Sequence, residues 1–395
     1  MFAKKTVKDV DVAGKRVLVR VDFNVPLADG AVADDTRVKA ALPTLRYLMD
    51  HGAKVIIMSH LGRPKGEPDP QYSLRPVRRL LQRLIGRNVT FVPQTVGSDA
   101  TEAVERMVDG EVLMLENVRF NPGEKANDPA FARKLAAFAD IYVNDAFGAA
   151  HRAHASTAGV AEFLPAYSGL LLAREVETLT AMLANPEHPF VAILGGSKVS
   201  DKFGVIDKLL DCVDTLIVGG GMAFTFLVAK GLGIGKSIVE PDWVEPAKAM
   251  LEKARENGVD IMLPVDFVVA DAFAEDAETR IVGREEIPAD MMGLDIGPTS
   301  SELFKGAIAD AKTIFWNGPM GVFEMKPYEA GTREVAAAVA RNNRAVSVIG
   351  GGDSVAALKK FGFEERVTFV STGGGASMKL LEGSPLPGVE ALLDK

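Results

Sequence analysis

The sequence predicts an α/β protein of two doubly wound, parallel-sheet (Rossmann-like) domains joined by a helix, with a cleft between them. Three observations carry this. The chain has 395 residues, too many for one ordinary core. Short apolar, β-rich runs alternate with helix-like segments from end to end. In the second half, glycine clusters follow those runs directly, where strands of an open sheet turn into helices.

The expected strands of the first half are RVLVRVDF (16–23), KVIIMS (54–59), VTFVP (89–93), EVLMLEN (111–117) and IYVND (141–145). Those of the second half are FVAILGG (190–196), TLIVGGG (215–221), IMLPVDFVV (261–269), TIFWNGP (313–319), AVSVIGGG (345–352) and VTFVSTGGG (367–375). Unbroken apolar runs separated by helical patterns fit parallel strands buried on both faces. LLLAREVETLTAML (170–183) reads as a helix closed by Asn185–Pro186 and Pro189, so the boundary falls near 165–189. The expected division is a first domain over 1–170, a helical connector over 171–188 and a second domain over 189–375.

Hydrophobic residues make up 47% and charged residues 25% of the chain, which excludes a disordered polyelectrolyte. No apolar run reaches the roughly 18 residues of a membrane span, so no membrane partner is expected. The start carries lysines without an apolar signal core, and the one cysteine, Cys212, cannot form an internal disulfide. A cytoplasmic location is therefore expected. Cys212 beside Val213 is read as a small packing residue rather than a nucleophile.

The net charge is −8, yet residues 1–170 hold 23 Lys and Arg against 20 Asp and Glu, a balance of +3, which leaves −11 for the rest. A positive half of an acidic protein fits an anion site or merely scattered surface charge. Basic clusters with interleaved aromatics are missing, so no nucleic-acid partner is expected.

Five glycine clusters stand at the carboxyl ends of the expected strands in the second half: 195–196, 219–221, 318, 350–352 and 373–375. Glycine there lets main-chain N–H groups approach a phosphate with a helix start behind them. Tight turns alone also favour glycine, but repetition at one topological position favours a nucleotide or phosphate site. Neither familiar fingerprint is present. GLGIGKS (231–237) ends like a P-loop, but Lys230 stands where its first glycine would be, and no GxGxxG follows the first strand of either half.

In GGSKVSDK (195–202), Lys198 and Lys202 are four apart, a spacing that would put both on one helix face just after the glycine turn. Two ammonium groups there can hold a terminal phosphate and its developing charge, although plain surface lysines fit the spacing too. Asp353 follows three glycines and can ligate Mg²⁺ beside phosphates or cap a helix. In the first half Arg37, Arg63, Arg119 and Arg152 lie at strand ends or adjoining loops, where a planar guanidinium grips phosphate and carboxylate oxygens. His60 and His151 sit beside two of them, His154 reads as structural, and Asp22 and Asn24 can bind ligand hydroxyls.

These residues stand in blocks that resemble the phosphoglycerate kinase family: RVDFNVP (20–26), SHLGRP (59–64), LENVRF (115–120), DAFGAAHRAH (145–154), GGSKVSDK (195–202), GGGMAFTF (219–226), WNGPMGVFE (316–324) and GGGDS (350–354). They appear in the family's order and span nearly the whole chain, whose length is similar to that of bacterial members. The resemblance implies reversible Mg²⁺-dependent phosphoryl transfer from 1,3-bisphosphoglycerate to ADP, giving 3-phosphoglycerate and ATP in glycolysis and gluconeogenesis. It implies triose binding by Asp22, Phe23, Asn24, Arg37, His60, Leu61, Gly62, Arg63, Arg119 and Arg152. It implies nucleotide binding by Lys198, Lys202, Gly219, Gly220, Gly221, Asn317, Glu324, Gly351, Gly352, Asp353 and Ser354, with Asp353 towards the metal and Glu324 on ribose hydroxyls. Arg37, Lys198, Lys202 and Gly374 would act on the moving phosphoryl group. Ser354 stands where the family often has Thr and keeps the hydroxyl. The resemblance also implies a monomer, and a C-terminal segment, roughly 376–395, that returns to the first domain.

An acyl phosphate is already a good donor, so such a protein must align two anions and neutralise charge rather than form a covalent intermediate. Sites on separate lobes would need closure about the connector. The competing readings are an NAD-dependent dehydrogenase, which would need the missing GxGxxG, and a non-catalytic nucleotide-binding scaffold, which need not keep Lys198, Lys202, Arg37 and Arg152 together.

Overall fold

The computed structural model describes residues 2–395. The chain divides into two compact units, one holding residues up to Thr178 together with Ser384–Lys395, the other Leu179–Gly383. The division falls inside the helix Leu170–Ala184.

The first unit is built on β1 (Arg16–Arg20), β4 (Lys54–Met58), β5 (Val89–Val92), β6 (Val112–Leu115), β7 (Ile141–Asn144) and β8 (Ala166–Ser168), with a small hairpin of β2 (Leu27–Ala28) and β3 (Ala31–Val32). The six long-range strands are all parallel, in the order β5-β6-β4-β1-β7-β8. Val17, Val19, Val55, Ile57, Met114 and Val143 point into one apolar cluster, which the helices Thr36–Asp50 and Arg75–Ile85 cover with Leu45, Leu48, Val77 and Leu81. The end of the chain belongs to this unit. Lys4 pairs with Asp394 at 2.7 Å, and the Asn144 side chain donates to the Gly388 carbonyl at 2.9 Å. The helix Gly375–Leu381 instead packs on the helix Phe203–Leu209, so the chain joins the first unit only from Ser384, later than the 376 expected.

The second unit has β9 (Phe190–Leu194), β10 (Thr215–Val218), β11 (Asp260–Met262), β15 (Thr313–Asn317), β16 (Val346–Gly350) and β17 (Phe369–Val370) in the all-parallel order β11-β10-β9-β15-β16-β17. The chain adds strands outward on one side of β9, then crosses to β15 and adds outward on the other. That reversal, between β9 and β15, is where an open α/β sheet leaves a crevice at its carboxyl edge. Beside this sheet, β12 (Asp266–Ala270), β13 (Thr279–Gly283) and β14 (Met292–Ile296) form an antiparallel sheet of order β13-β12-β14.

Two differences from the sequence reading have local causes. The run 261–269 is not one strand: it breaks at Leu263–Pro264 into β11 on the main sheet and β12 on the small one. Pro264 has no N–H for a sheet ladder. The expected strands also run too far at their carboxyl ends, as at 16–23 against Arg16–Arg20 and 367–375 against Phe369–Val370. The apolar or glycine-rich residues beyond each strand form the turns that build the sites below.

Candidate functional site

In the first unit, four neighbouring strands deliver the expected residues to one sheet edge. Asp22, Phe23 and Asn24 follow β1; His60 to Arg63 follow β4; Arg119 follows β6; Arg152 follows β7. Arg37 comes from the first turn of the helix Thr36–Asp50, and its Nη1 donates to Asp22 Oδ2 at 2.7 Å. The loops are tied to one another. Gly62 N–H donates to Asn24 Oδ1 at 2.8 Å, while Arg119 Nη1 donates to the Gly62 carbonyl at 2.6 Å. Gly62 has φ +62°, and a Cβ there would lie 2.2 Å from the Tyr72 ring, so the loop needs glycine at that point. The side chains of Phe23 and Leu61 lie in the core, which leaves only their main chain for a ligand.

The electrostatics are those of a site built for negative charge. Burial pushes the Arg119 guanidinium down to about 10, with Arg152 and Arg20 adding repulsion. Arg152 is lowered for the same reasons, burial first, then Arg20, Arg63 and Arg37, against the pull of Asp22. Burial and the surrounding arginines hold His60 well below its ordinary value, so the ring is neutral. Among the described residues, Arg119 Nε is buried with no hydrogen-bond partner. Clustered guanidinium groups with spare donors cost energy until an anion arrives.

Arg20, the last residue of β1, is a member of this cluster that the sequence reading passed over. It is 1% exposed and its Nη2 meets His60 Nδ1 at 3.1 Å. The available signal was a charged residue inside an otherwise apolar strand, RVLVRVDF.

In the second unit, the turns after β9, β10 and β15 interlock. A Cβ on Gly195 would meet the Pro319 carbonyl at 2.0 Å, one on Gly220 the Gly196 N–H at 2.6 Å, and one on Gly318 the Gly195 carbonyl at 2.4 Å. These glycines are therefore fixed first by main-chain packing at the switch point of the sheet. Asn317 ends β15, and Ser354 Oγ accepts from Gly318 N–H at 2.6 Å. Ser354 is fully buried, so its hydroxyl shapes the turn. Gly351 N-caps the helix Gly352–Phe361, and Asp353 stands exposed in that helix's first turn, not at its cap. Gly374 N-caps the helix Gly375–Leu381.

Lys198 and Lys202 do not share a helix face. Residues 195–202 form a turn, because Ser200 is held by Glu240 through its N–H and hydroxyl, and the helix starts only at Phe203. Lys198 is exposed. Lys202 is inserted between turns, where its ammonium donates to the Asn317 carbonyl at 2.6 Å and to Asn317 Oδ1. Burial brings Lys202 down to about 8, while Asp353 and Asp201 pull the other way.

A cavity of about 410 Å³ opens beside these turns, bordered by Gly196, Gly220, Gly221, Pro319, Glu324 and Asp353. Its far wall is Phe267, Phe273 and residues 292–295 of the small antiparallel sheet, together with Lys236. None of that wall was anticipated. Lys236 belongs to GLGIGKS, set aside as a failed P-loop, yet it reaches the same cavity from a different element. Among the described residues, no group of three or more His, Cys, Asp or Glu could hold a metal by itself, and no helix is long and apolar enough to cross a membrane.

The family model for phosphoglycerate kinase matches residues 7–384. The chain is 56% identical over 394 residues to a phosphoglycerate kinase of Pelotomaculum thermopropionicum, covering 100% of both chains. It is 55% identical over 397 residues to one of Chloroflexus aggregans, covering 99% of each. Among solved structures, phosphoglycerate kinase from Coxiella burnetii superposes with a TM-score of 0.88 at 43% identity, and that from Pyrococcus horikoshii with 0.85 at 33%, each with 98% of both chains covered. These matches leave the dehydrogenase and scaffold readings without support. With an arginine cluster on one sheet edge, a glycine-walled cavity on another and relatives matched over their full length, this chain belongs to the phosphoglycerate kinase family.

Proposed function

We propose that the chain catalyses reversible phosphoryl transfer between 1,3-bisphosphoglycerate and ADP, with 3-phosphoglycerate and ATP as products. The observation that carries this reading is the convergence of Arg20, Arg37, Arg63, Arg119 and Arg152 around Asp22 and His60 at one sheet edge. Five guanidinium groups suit a small ligand with negative charge at both ends, and a three-carbon acid bearing phosphate is such a ligand. Asp22 and Asn24, in the midst of them, suit its hydroxyl.

The cavity of the second unit suits a nucleoside diphosphate. Its apolar wall takes the base, Glu324 accepts from the ribose hydroxyls, and the turns at Gly219–Gly221 and Gly351–Ser354 shape the phosphate end. Lys198, exposed, and Lys202, buried against Asn317, offer ammonium groups there. Gly374, with the glycines on either side, offers main-chain N–H groups to the transferred group. In the transition state negative charge spreads over the phosphoryl oxygens, and fixed donors such as Lys202 and Arg37 stabilise it without reorganising. The acyl phosphate supplies the driving force, so alignment and charge neutralisation suffice.

Asp353 is the carboxylate placed to hold Mg²⁺. It is exposed and borders the cavity, and among the described residues no group of three or more His, Cys, Asp or Glu could hold a metal, which fits an ion that takes one or two carboxylates and completes its shell with phosphate oxygens and water. Bound there, Mg²⁺ would neutralise nucleotide phosphate charge. The reaction needs no second subunit and no redox partner, so we take the chain as a cytoplasmic monomer. A coupled assay with 3-phosphoglycerate, ATP and Mg²⁺ tests the activity. Folded protein without turnover refutes it.

A further inference from the structure

The first unit contains a chain of buried polar contacts that runs back from the arginine cluster into the protein. Glu124 is fully buried. It accepts from the Ser156 hydroxyl at 2.6 Å and from the Ser156 N–H at 2.9 Å. Ser156 Oγ in turn accepts from Arg20 Nε at 2.8 Å. Arg20 Nη1 donates to the Val21 carbonyl at 2.5 Å, and its Nη2 lies 3.1 Å from His60 Nδ1. The series thus runs from a buried carboxylate, through a hydroxyl and a guanidinium, to an imidazole at the edge of the triose site.

A guanidinium can only donate. A contact of 3.1 Å between Arg20 Nη2 and His60 Nδ1 is a hydrogen bond only if Nδ1 offers its lone pair. The alternative, Nδ1–H directed at a carboxylate, has one candidate, Asp22 Oδ1. That atom is 3.7 Å away, outside hydrogen-bond range, and Asp22 is already engaged by Arg37. Nδ1–H would also place two donors face to face in a buried site and leave a guanidinium hydrogen unmatched. Full protonation fares no better. The groups facing the ring are Arg20, Arg119, Arg152 and Arg37, all cationic, against Asp22 alone. Nε2 makes no hydrogen bond among the described residues, so it is left available.

We propose that Arg20, anchored from behind by Ser156 and Glu124, is a positioning residue that fixes His60 in the tautomer protonated on Nε2 and so makes it an obligate hydrogen-bond donor to the triose. The first part stands on the contacts above; the second rests on the triose-binding reading of this site. In chemical terms the site gains a donor without adding a sixth positive charge to its five guanidinium groups. It also keeps that donor at any pH where the arginines stay charged, whereas an untethered imidazole would divide its proton between two nitrogens.

The test is nitrogen NMR of the protein labelled with ¹⁵N-histidine, without ligand, across about pH 5.5 to 8, the range in which a free histidine titrates. The expected His60 pattern is a pyridine-like Nδ1 and a protonated Nε2 throughout. Arg20→Met should give mixed tautomers and a ring that begins to titrate, and Arg20→Lys, which restores a donor, should recover the wild-type pattern. Ser156→Ala should loosen the lock in part. A wild-type ring protonated on Nδ1, or a pattern unchanged in Arg20→Met, overturns the proposal. If Arg20→Met does not fold, the wild-type pattern and Arg20→Lys still decide. Addition of 3-phosphoglycerate separates the two parts: a shifted Nε2–H supports donation to the ligand. An unshifted one with the lock intact removes the triose contact and leaves the tautomer assignment standing. As a second readout, His60→Gln, whose amide can donate near the Nε2 position, should keep a KM for 3-phosphoglycerate at least tenfold lower than His60→Ala. Equal KM values for the two variants count against donation from Nε2.

Discussion

The Lys202 ammonium is bound twice by Asn317, through the main-chain carbonyl and through the side-chain oxygen, so a buried cation is fastened to the last residue of β15. Asn317 lies beside the reversal of strand order between β9 and β15. The charge is therefore held at the place where the sheet leaves its crevice, on a strand rather than on a loop. A donor fixed in this way needs no reorganisation when charge develops nearby.

Lys202→Met should consequently lower kcat by about 10²- to 10³-fold, the usual cost of removing one preorganised donor. Its Kd for 3-phosphoglycerate should stay within about twofold of wild type, because the arginine cluster proposed to bind it belongs to the other unit. Steady-state kinetics with calorimetric triose binding measure both. A near-normal kcat refutes the role.

The same lysine sets a pH limit. Burial has brought it from 10.5 to about 8, so it carries its charge at neutral pH and loses it as the pH rises through that value. Deprotonation removes the attraction for phosphate. In kcat/KM for the nucleotide, wild type should therefore show a falling limb above about pH 8 that Lys202→Arg lacks, since a guanidinium does not titrate there. Identical alkaline limbs in the two proteins would assign the limb to another group.

Legibility from sequence followed the physics of each element. Buried parallel strands announce themselves as apolar runs, so all but the short edge strand β8 of the two main sheets could be read, with the domain-joining helix at Leu170–Ala184. Strand ends were misjudged because apolar and glycine residues continue into the site turns. The small sheet of β12, β13 and β14 escaped because β13 is largely exposed and β12 is fused in sequence to β11 across Pro264. Arg63, Arg119 and Arg152 stood out as candidates because each follows a strand, whereas Arg37 opens a helix. Arg20 was hidden inside a strand, and its partners Ser156 and Glu124 are distant in sequence. Lys198 and Lys202 misled because helical spacing was assumed where Ser200 and Glu240 hold a turn.

Arg63 and Arg119 should separate binding from folding. Arg63 is exposed, whereas Arg119 is largely buried and ties the Gly62 carbonyl. Arg63→Ala should weaken 3-phosphoglycerate binding by about tenfold or more, the scale of a lost charged hydrogen bond, with no change in thermal midpoint. Arg119→Ala should weaken binding and also lower the midpoint. Both should leave ADP affinity intact. Equal losses for triose and nucleotide in Arg63→Ala would refute the assignment of the two ligands to separate units.

Asp145 gives a prediction for stability. It lies in the block DAFGAAHRAH, but its side chain faces away from ligand chemistry: it is fully buried, and Oδ1 accepts from the N–H groups of Leu171 and Leu172 at 2.9 and 3.2 Å, capping the helix that joins the units. Burial raises it from 3.8 to about 7, against the lowering effect of hydrogen bonds from Thr44, Leu172 and Leu171, and Glu175 pushes it higher still. Between those two values the folded chain holds a proton that the unfolded chain releases. Stability must then fall as the pH climbs from about 4 to about 7, and level off above. Asn in place of Asp keeps Oδ1 for both N–H groups and removes the titration. The thermal midpoint of wild type relative to Asp145→Asn should therefore decline steadily between about pH 5 and pH 7, the variant being favoured at the upper end. A constant difference across that range would mean that the helix dipole and the two N–H groups keep Asp145 ionised despite its burial.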